Sequence, residues 1–154
     1  CTEIFITIHG KGGRASEHDK LNDPIQAAVD IYNGLREIIK SEKELGTKFS
    51  LCLPMIHCGH APNVISNKCE LKGSLRSFAD EETIRIKTKI QEAIDSACKK
   101  NGCTADSHIL TVNPPINNTT KEAENVIRVA KKVVGESNVI TNERAIVKGS
   151  EDFS

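Results

Sequence analysis

The chain has 154 residues, 38% hydrophobic and 3% aromatic with no Trp, which suits one domain with an appendage and a core of Ile, Val, Leu and Ala. Twenty-one basic side chains balance twenty-one acidic ones, and this zero formal charge argues against a nucleic-acid partner, whose binding rests on phosphate neutralisation. No apolar run approaches a membrane span and no signal peptide opens the sequence, so the expectation is a cytoplasmic protein with no membrane partner.

Thr2 to His9 alternates, with Ile4, Ile6 and Ile8 on one face, and reads as a strand ended by Gly10, Gly12 and Gly13. Asp23 followed by Pro24 gives an N-cap and a first-turn proline. The helix they open runs to about Lys43, with Ile25, Ala28, Val29, Tyr32 and Ile39 as its predicted inner stripe, and Gly46 closes it. Phe49 to about His57 is the second strand, and Pro54 within it calls for an edge or a bulge.

A turn over Gly59 to Asn63 leads to a third strand, Lys68 to Phe78. Asp80 is the expected cap of a second helix, whose Ile86, Ile90, Ala93, Ile94 and Ala97 recur at helical spacing until Gly102. Ala105 to Val112 alternates again as the fourth strand. The order β-α-β-β-α-β predicts an α+β, ferredoxin-like domain over residues 1–113, with two helices on one face of a four-stranded antiparallel sheet.

Pro114-Pro115 reads as a linker. Residues 114–154 then hold an extra C-terminal helix capped at Thr119 or Thr120, with Ala123, Val126, Ile127, Ala130, Val133 and Val134 on one stripe, and a short strand at Val139-Ile140. The sequons in Asn117-Asn118-Thr119-Thr120 read as loop and helix cap. Cysteines at 1, 52, 58, 69, 98 and 103 contain no CxxC pair, which excludes a zinc ribbon. Cys52 and Cys58, six apart on one predicted strand, should share a face, and all six read as reduced and partly buried.

Four short tracts carry more than fold. They are Gly10-Lys11-Gly12-Gly13-Arg14-Ala15-Ser16; Asp23-Pro24-Ile25; Gly59-His60-Ala61-Pro62-Asn63-Val64-Ile65 followed by Glu70-Leu71-Lys72-Gly73-Ser74-Leu75-Arg76-Ser77-Phe78; and the terminal Gly149-Ser150-Glu151-Asp152-Phe153-Ser154. In order and spacing the chain resembles the M20 metallopeptidase family, in its amidohydrolase branch of hippurate, N-acyl-amino-acid and auxin-conjugate hydrolases. That family reads roughly GKGGHAS, DPI, G-x-A-x-NVI with L-x-G-x-x-R-x-F, then G-x-EDF.

The resemblance implies a ferredoxin-like lid that forms a homodimer, followed by a stub of the returning catalytic domain. It implies a full-length enzyme that cleaves the amide of an N-acyl amino acid or small peptide with a divalent metal, zinc being the expected ion. The family's metal ligands lie outside this stretch. The His residues at 9, 18, 57, 60 and 108 have no HxxxH or HxD spacing and read as structural or solvated, so no metal ligand is assigned and this stretch alone should be inactive. Gly10, Gly12 and Gly13 are followed by no GKS/T, so a nucleotide loop is rejected.

The resemblance carries four site residues over. Arg14 stands where the family has the His of GGHA, a group that reaches the partner subunit's cleft. Its permanent cation would hold either a tetrahedral intermediate or a substrate carboxylate, or the loop only folds and the protein is a pseudoenzyme. His18 matches a second family His with the spacing altered by one residue. Asn63 matches the Asn of NVI, a substrate hydrogen-bonder, although a turn would favour Asn there in any case. Arg76 suits a substrate α-carboxylate, or is an ordinary strand Arg paired with a neighbouring Glu. Glu151 and Asp152 would stand near the parent enzyme's cleft. A rival reading is a stand-alone ferredoxin-like module for dimerisation or small-molecule binding.

Overall fold

The computed structural model describes residues 1–141, and the chain divides into two compact units after Pro114. In the first, the strands are β1 (Thr2–His9), β2 (Gly13–Arg14), β3 (Phe49–Cys58), β4 (Val64–Ile65), β5 (Lys68–Ser77) and β6 (Thr104–Thr111). Helices α1 (Pro24–Glu44) and α2 (Asp80–Lys100) complete it, with a 3-10 turn at Ala15–Lys20. The main sheet has the order β3-β5-β1-β6 with every neighbour antiparallel, the ferredoxin-like arrangement.

Period-two alternation builds one dry face. Ile4, Ile6 and Ile8 of β1 lie beside Leu51 and Leu53 of β3 and Cys69, Leu71 and Leu75 of β5. Both helices cover that face, and α2 brings Ile86, Ile90 and Ile94 as its sequence period predicts. Glu3, Phe5, Cys52 and Lys72 stand on the other, open face.

Helix α1 matches the expected stripe only in part: Ala28 is buried and Ile39 packs against the core, but the rest of the stripe turns away. Ala27, Ala28, Ile31, Leu35 and Ile38 are buried, whereas Ile25, Val29 and Tyr32 are about two-fifths exposed or more. Two overlapping apolar arcs satisfy the same helical period. Tight packing on α2, where Gly34 faces Ala93, selects the arc that lies over sheet and helix together. Asp23 caps α1 as expected, its Oδ1 accepting the Ile25 N–H at 2.8 Å.

Asp80 is not the cap of α2. It is the first helical residue, and Ala79 occupies the cap position with no side-chain bond. Thr83 Oγ1 bonds back to the Ala79 carbonyl at 3.0 Å, and the acidic first turn, Asp80 to Glu82, complements the helix dipole. Between the helices Glu42 is fully buried and accepts from Arg85 Nη2 at 2.7 Å, Lys89 Nζ at 2.7 Å and Thr47 Oγ1 at 2.8 Å. These partners hold its carboxyl at about 2, the Arg85 bond acting most strongly against the opposing effect of burial.

Pro54 marks both expected features: β3 is an edge strand, and its register slips between Cys52 and Met55. The bulge lies on Gly73 of β5, where a Cβ would come within 2.1 Å of the Cys52 carbonyl. The added residue reverses the strand's parity. Cys52 therefore faces the open side opposite Ser74, while Cys58 faces the core side opposite Cys69, so the two do not share a face.

The second unit contains α3 (Thr120–Val134) and a 3-10 turn at Glu136–Asn138. Thr119 sits at the cap, and its hydroxyl bonds the Glu122 side chain rather than a backbone amide. No residue of α3 is buried, and Val126, Val129 and Val133 are exposed. Val139-Ile140 forms no strand, because neither residue has a pairing edge among the described residues. Glu151 and Asp152 lie outside the described residues. No described helix is long and apolar enough to cross a membrane.

Candidate functional site

Two glycine-bearing loops leave the same end of the sheet and close on each other. Gly13 pairs with Ile65 and Arg14 with Val64, so β2 and β4 form a two-residue ribbon. The ribbon continues through the Ala15 N–H, which donates to the Asn63 carbonyl at 3.0 Å. At its base Gly10 N–H donates to the Asn67 carbonyl at 2.9 Å and Gly12 N–H to Asn67 Oδ1 at 2.8 Å. Gly12 is required by contact: a Cβ there would lie 2.4 Å from the Ile65 carbonyl.

The upstream loop is fastened a second time. Lys11 and Asn22 exchange backbone bonds at 2.9 and 3.0 Å, and Asn22 Nδ2 donates to the carbonyl of Gly102 just past α2. Asn22 and Asn67 are positioning residues that sequence reading did not single out. The signal available was an Asn beside each glycine-rich tract, a residue that bonds backbone from its side chain.

Arg14 and Asn63 thus come together, both exposed, on adjoining positions of one ribbon. His18 follows on the 3-10 turn, exposed, with Nε2 3.0 Å from Asp19 Oδ1. Arg76 is not with them. It lies opposite Ser50 near the far end of β5, half-buried, and close enough to Cys1 that its charge, after burial, lowers the pKa of the Cys1 amino group. From Lys68, beside the ribbon, Arg76 is roughly 25 Å away at about 3.3 Å per strand residue.

Beside the ribbon an open, polar hollow of about 470 Å³ is lined by His57, Cys58, His60, Ser66, Lys68 and Glu70, among others. The Lys68 ammonium meets Glu70 at 2.5 Å and lowers the pKa of its carboxyl through that bond and its charge. A smaller, more enclosed and largely apolar groove of about 210 Å³ runs between α1 and the edge strand β3, past Tyr32, Leu35, Leu51 and Leu53. Among the described residues no three His, Cys, Asp or Glu side chains are placed to hold a metal ion, and His9 is engaged with Asp106 at 2.9 Å. The described residues therefore do not fit the metal of the resembled family.

The arrangement is that of an α+β domain which presents polar groups outward from one corner. Residues 2–102 match the M20 peptidase dimerisation domain, and the chain belongs to the M20 family. It is 27% identical over 150 residues to thermostable carboxypeptidase 1 of Saccharolobus solfataricus, covering 97% of this chain and 37% of that protein. It is also 27% identical over 148 residues to the hippurate hydrolase of Campylobacter jejuni, covering 96% and 38%. The crystal structure of a putative aminohydrolase from methicillin-resistant Staphylococcus aureus superposes with a TM-score of 0.77 at 20% identity, over 86% of this chain and 35% of that one, which shows the shared fold. The chain spans less than two-fifths of the length of these relatives.

Proposed function

We propose that this chain is the lid, or dimerisation, domain (residues 1–113) with a following catalytic-domain segment (residues 114–154) of a longer metal-dependent amidohydrolase. The complete protein cleaves the amide of an N-acyl amino acid or small peptide, with a divalent metal, zinc, held by residues outside this chain. Support comes from the family membership, from relatives named as a carboxypeptidase and a hippurate hydrolase, and from the share of their length that the chain spans. On this reading the chain alone hydrolyses nothing.

The observation that carries the reading is the separation of Arg14 and Asn63 from Arg76, roughly 25 Å along β5. Groups at opposite ends of one sheet serve one small substrate only when two subunits each contribute an end. Arg14 and Asn63 of one subunit then reach the neighbour's cleft, where that neighbour's own Arg76 binds the substrate carboxylate. The edge strand β3 and its apolar groove with α1 supply the dimer contact.

Subunit complementation tests this. In the full-length protein, Arg14→Ala and Arg76→Ala homodimers are each expected to be impaired. After mixing and subunit exchange, half the dimers are mixed, and each mixed dimer has one intact composite cleft, so activity should return to about a quarter of wild type. No recovery on verified exchange would sink the shared-cleft reading.

A further inference from the structure

Cys58 and Cys69 are separated by the whole loop that carries Asn63, yet they are direct cross-strand partners on β3 and β5. Their pairing type follows from the neighbouring ladder. Gly10 N–H bonds the Asn67 carbonyl, so in the β1–β5 register the hydrogen-bonded pairs are Gly10 with Asn67 and Ile8 with Cys69. The backbone groups of Cys69 are thus spent on β1, and Cys58–Cys69 is a non-hydrogen-bonded pair across β3–β5. Such pairs have Cα atoms about 4.5 Å apart and side chains on one face. That separation lies within the ~4.4–6.8 Å that a disulfide spans.

The two thiols also differ in access. Cys58 is half-buried and lines the polar hollow, so a small reagent reaches it. Cys69 is fully buried. Cys58 Sγ donates to the carbonyl of Lys68, the residue next to Cys69, at 3.2 Å. Cys98 and Cys103 are close to each other too, but both are buried and line no described opening.

We infer that Cys58 and Cys69 form a reversible redox pair, converted by a low-molecular-weight disulfide into a cross-strand disulfide that clamps the base of the 59–67 loop. The Cys58 thiolate attacks one sulfur of the small disulfide, forming a mixed disulfide and releasing one small thiol. The Cys69 sulfur then attacks Cys58 Sγ and expels the second small thiol, which takes the Cys69 proton. The two cysteines lose two electrons and the reagent gains them. Burial, with the neighbouring Cys58 sulfur adding to it, pushes the Cys69 thiol up to about 12, so its thiolate is scarce and closure is the slow step. The bond needs nothing from Asn63, so it forms whether or not that residue meets substrate.

The test exposes the unmodified chain to oxidised glutathione and maps its thiols by non-reducing proteolysis and mass spectrometry. The expected product is a Cys58–Cys69 linked peptide, lost on reduction, absent in Cys58→Ser and retained in Cys52→Ser. Amide exchange at Ala15, whose N–H bonds the Asn63 carbonyl, should slow several-fold in the oxidised protein. Glutathione remaining on Cys58 with Cys69 free, linkage of Cys58 to another cysteine, or no reaction would each overturn the pair. A linked peptide with unchanged exchange at Ala15 would overturn the clamp.

Discussion

Asn67 Oδ1 accepts the backbone N–H of Gly12 at 2.8 Å, a single bond joining loops 55 residues apart. Its backbone carbonyl takes Gly10 N–H as well, so one residue fastens both sides of the β2–β4 ribbon. Asn67→Ala removes the side-chain bond from an exposed site, where water replaces it. The expected cost is about 1 kcal/mol in urea denaturation. On the proposed reading, the same change in the full-length protein loosens the ribbon and lowers hydrolysis without changing metal content. Faster amide exchange at Gly12 is the direct readout.

Glu42 predicts a pH dependence. Its folded-state carboxyl titrates at about 2 against an ordinary value of 4.5. A lowered pKa contributes stability that is fully present above the unfolded value and is lost as pH falls through the folded one. Stability should therefore decline from about pH 5 to pH 2. Arg85 and Lys89 are partly solvated, so the contribution is discounted to about 2 kcal/mol at neutral pH. Glu42→Gln should flatten that part of the profile and meet the wild-type curve near pH 2. An unchanged acid limb in chemical denaturation at stepped pH would refute this.

Gly73 predicts a packing effect. A Cβ there meets Cys52 O at 2.1 Å and Leu53 Cδ2 at 2.6 Å. The first obstacle is backbone, so the bulge and β5 must part. Gly73→Ala should cost about 3 kcal/mol, read as a lower denaturation midpoint. Gly46→Ala makes no such contact, and its cost would come only from the backbone φ of +77°.

What the sequence made legible follows from what its patterns encode. The strand and helix order rests on periods of 2 and 3.6, and Ile4-Ile6-Ile8 and Ile86-Ile90-Ile94 fall on the core as those periods require. Pro54 announced an interruption. It allowed a bulge, but the even spacing of Cys52 and Cys58 was read without the bulge's added residue, so the two were expected on one face and Cys58 instead faces Cys69. The α1 stripe was ambiguous because Ile25-Val29-Tyr32 and Ala27-Ile31-Ile38 both have helical spacing, and only packing against α2 decides between them. The resemblance gave Arg14 and Asn63 as candidates. Their adjacency depends on a two-residue ribbon too short to have a period, and the distance to Arg76 depends on strand direction.

Arg14 carries the sharpest functional prediction. It is exposed on the ribbon beside Asn63, at the position where the resembled family has His. Should it donate to an oxyanion in the neighbour's cleft, Arg14→Ala in the full-length enzyme removes a charge-assisted bond made only in the transition state. Turnover then falls a hundredfold or more, about 3 kcal/mol. Should it bind a ground-state carboxylate, the same change raises KM and leaves kcat alone. Arg14→His separates a specialised copy from an impaired one, because imidazole donates one bond and loses its charge near neutral pH, which guanidinium never does. A rise in kcat for the His variant means this copy is slowed at that step. A fall, with kcat acquiring a new pH dependence near 6 to 7, roughly the range of an unperturbed imidazole, means the permanent charge is in use. Steady-state kinetics across pH on all three proteins checks this, and unchanged constants in both variants would remove Arg14 from the site.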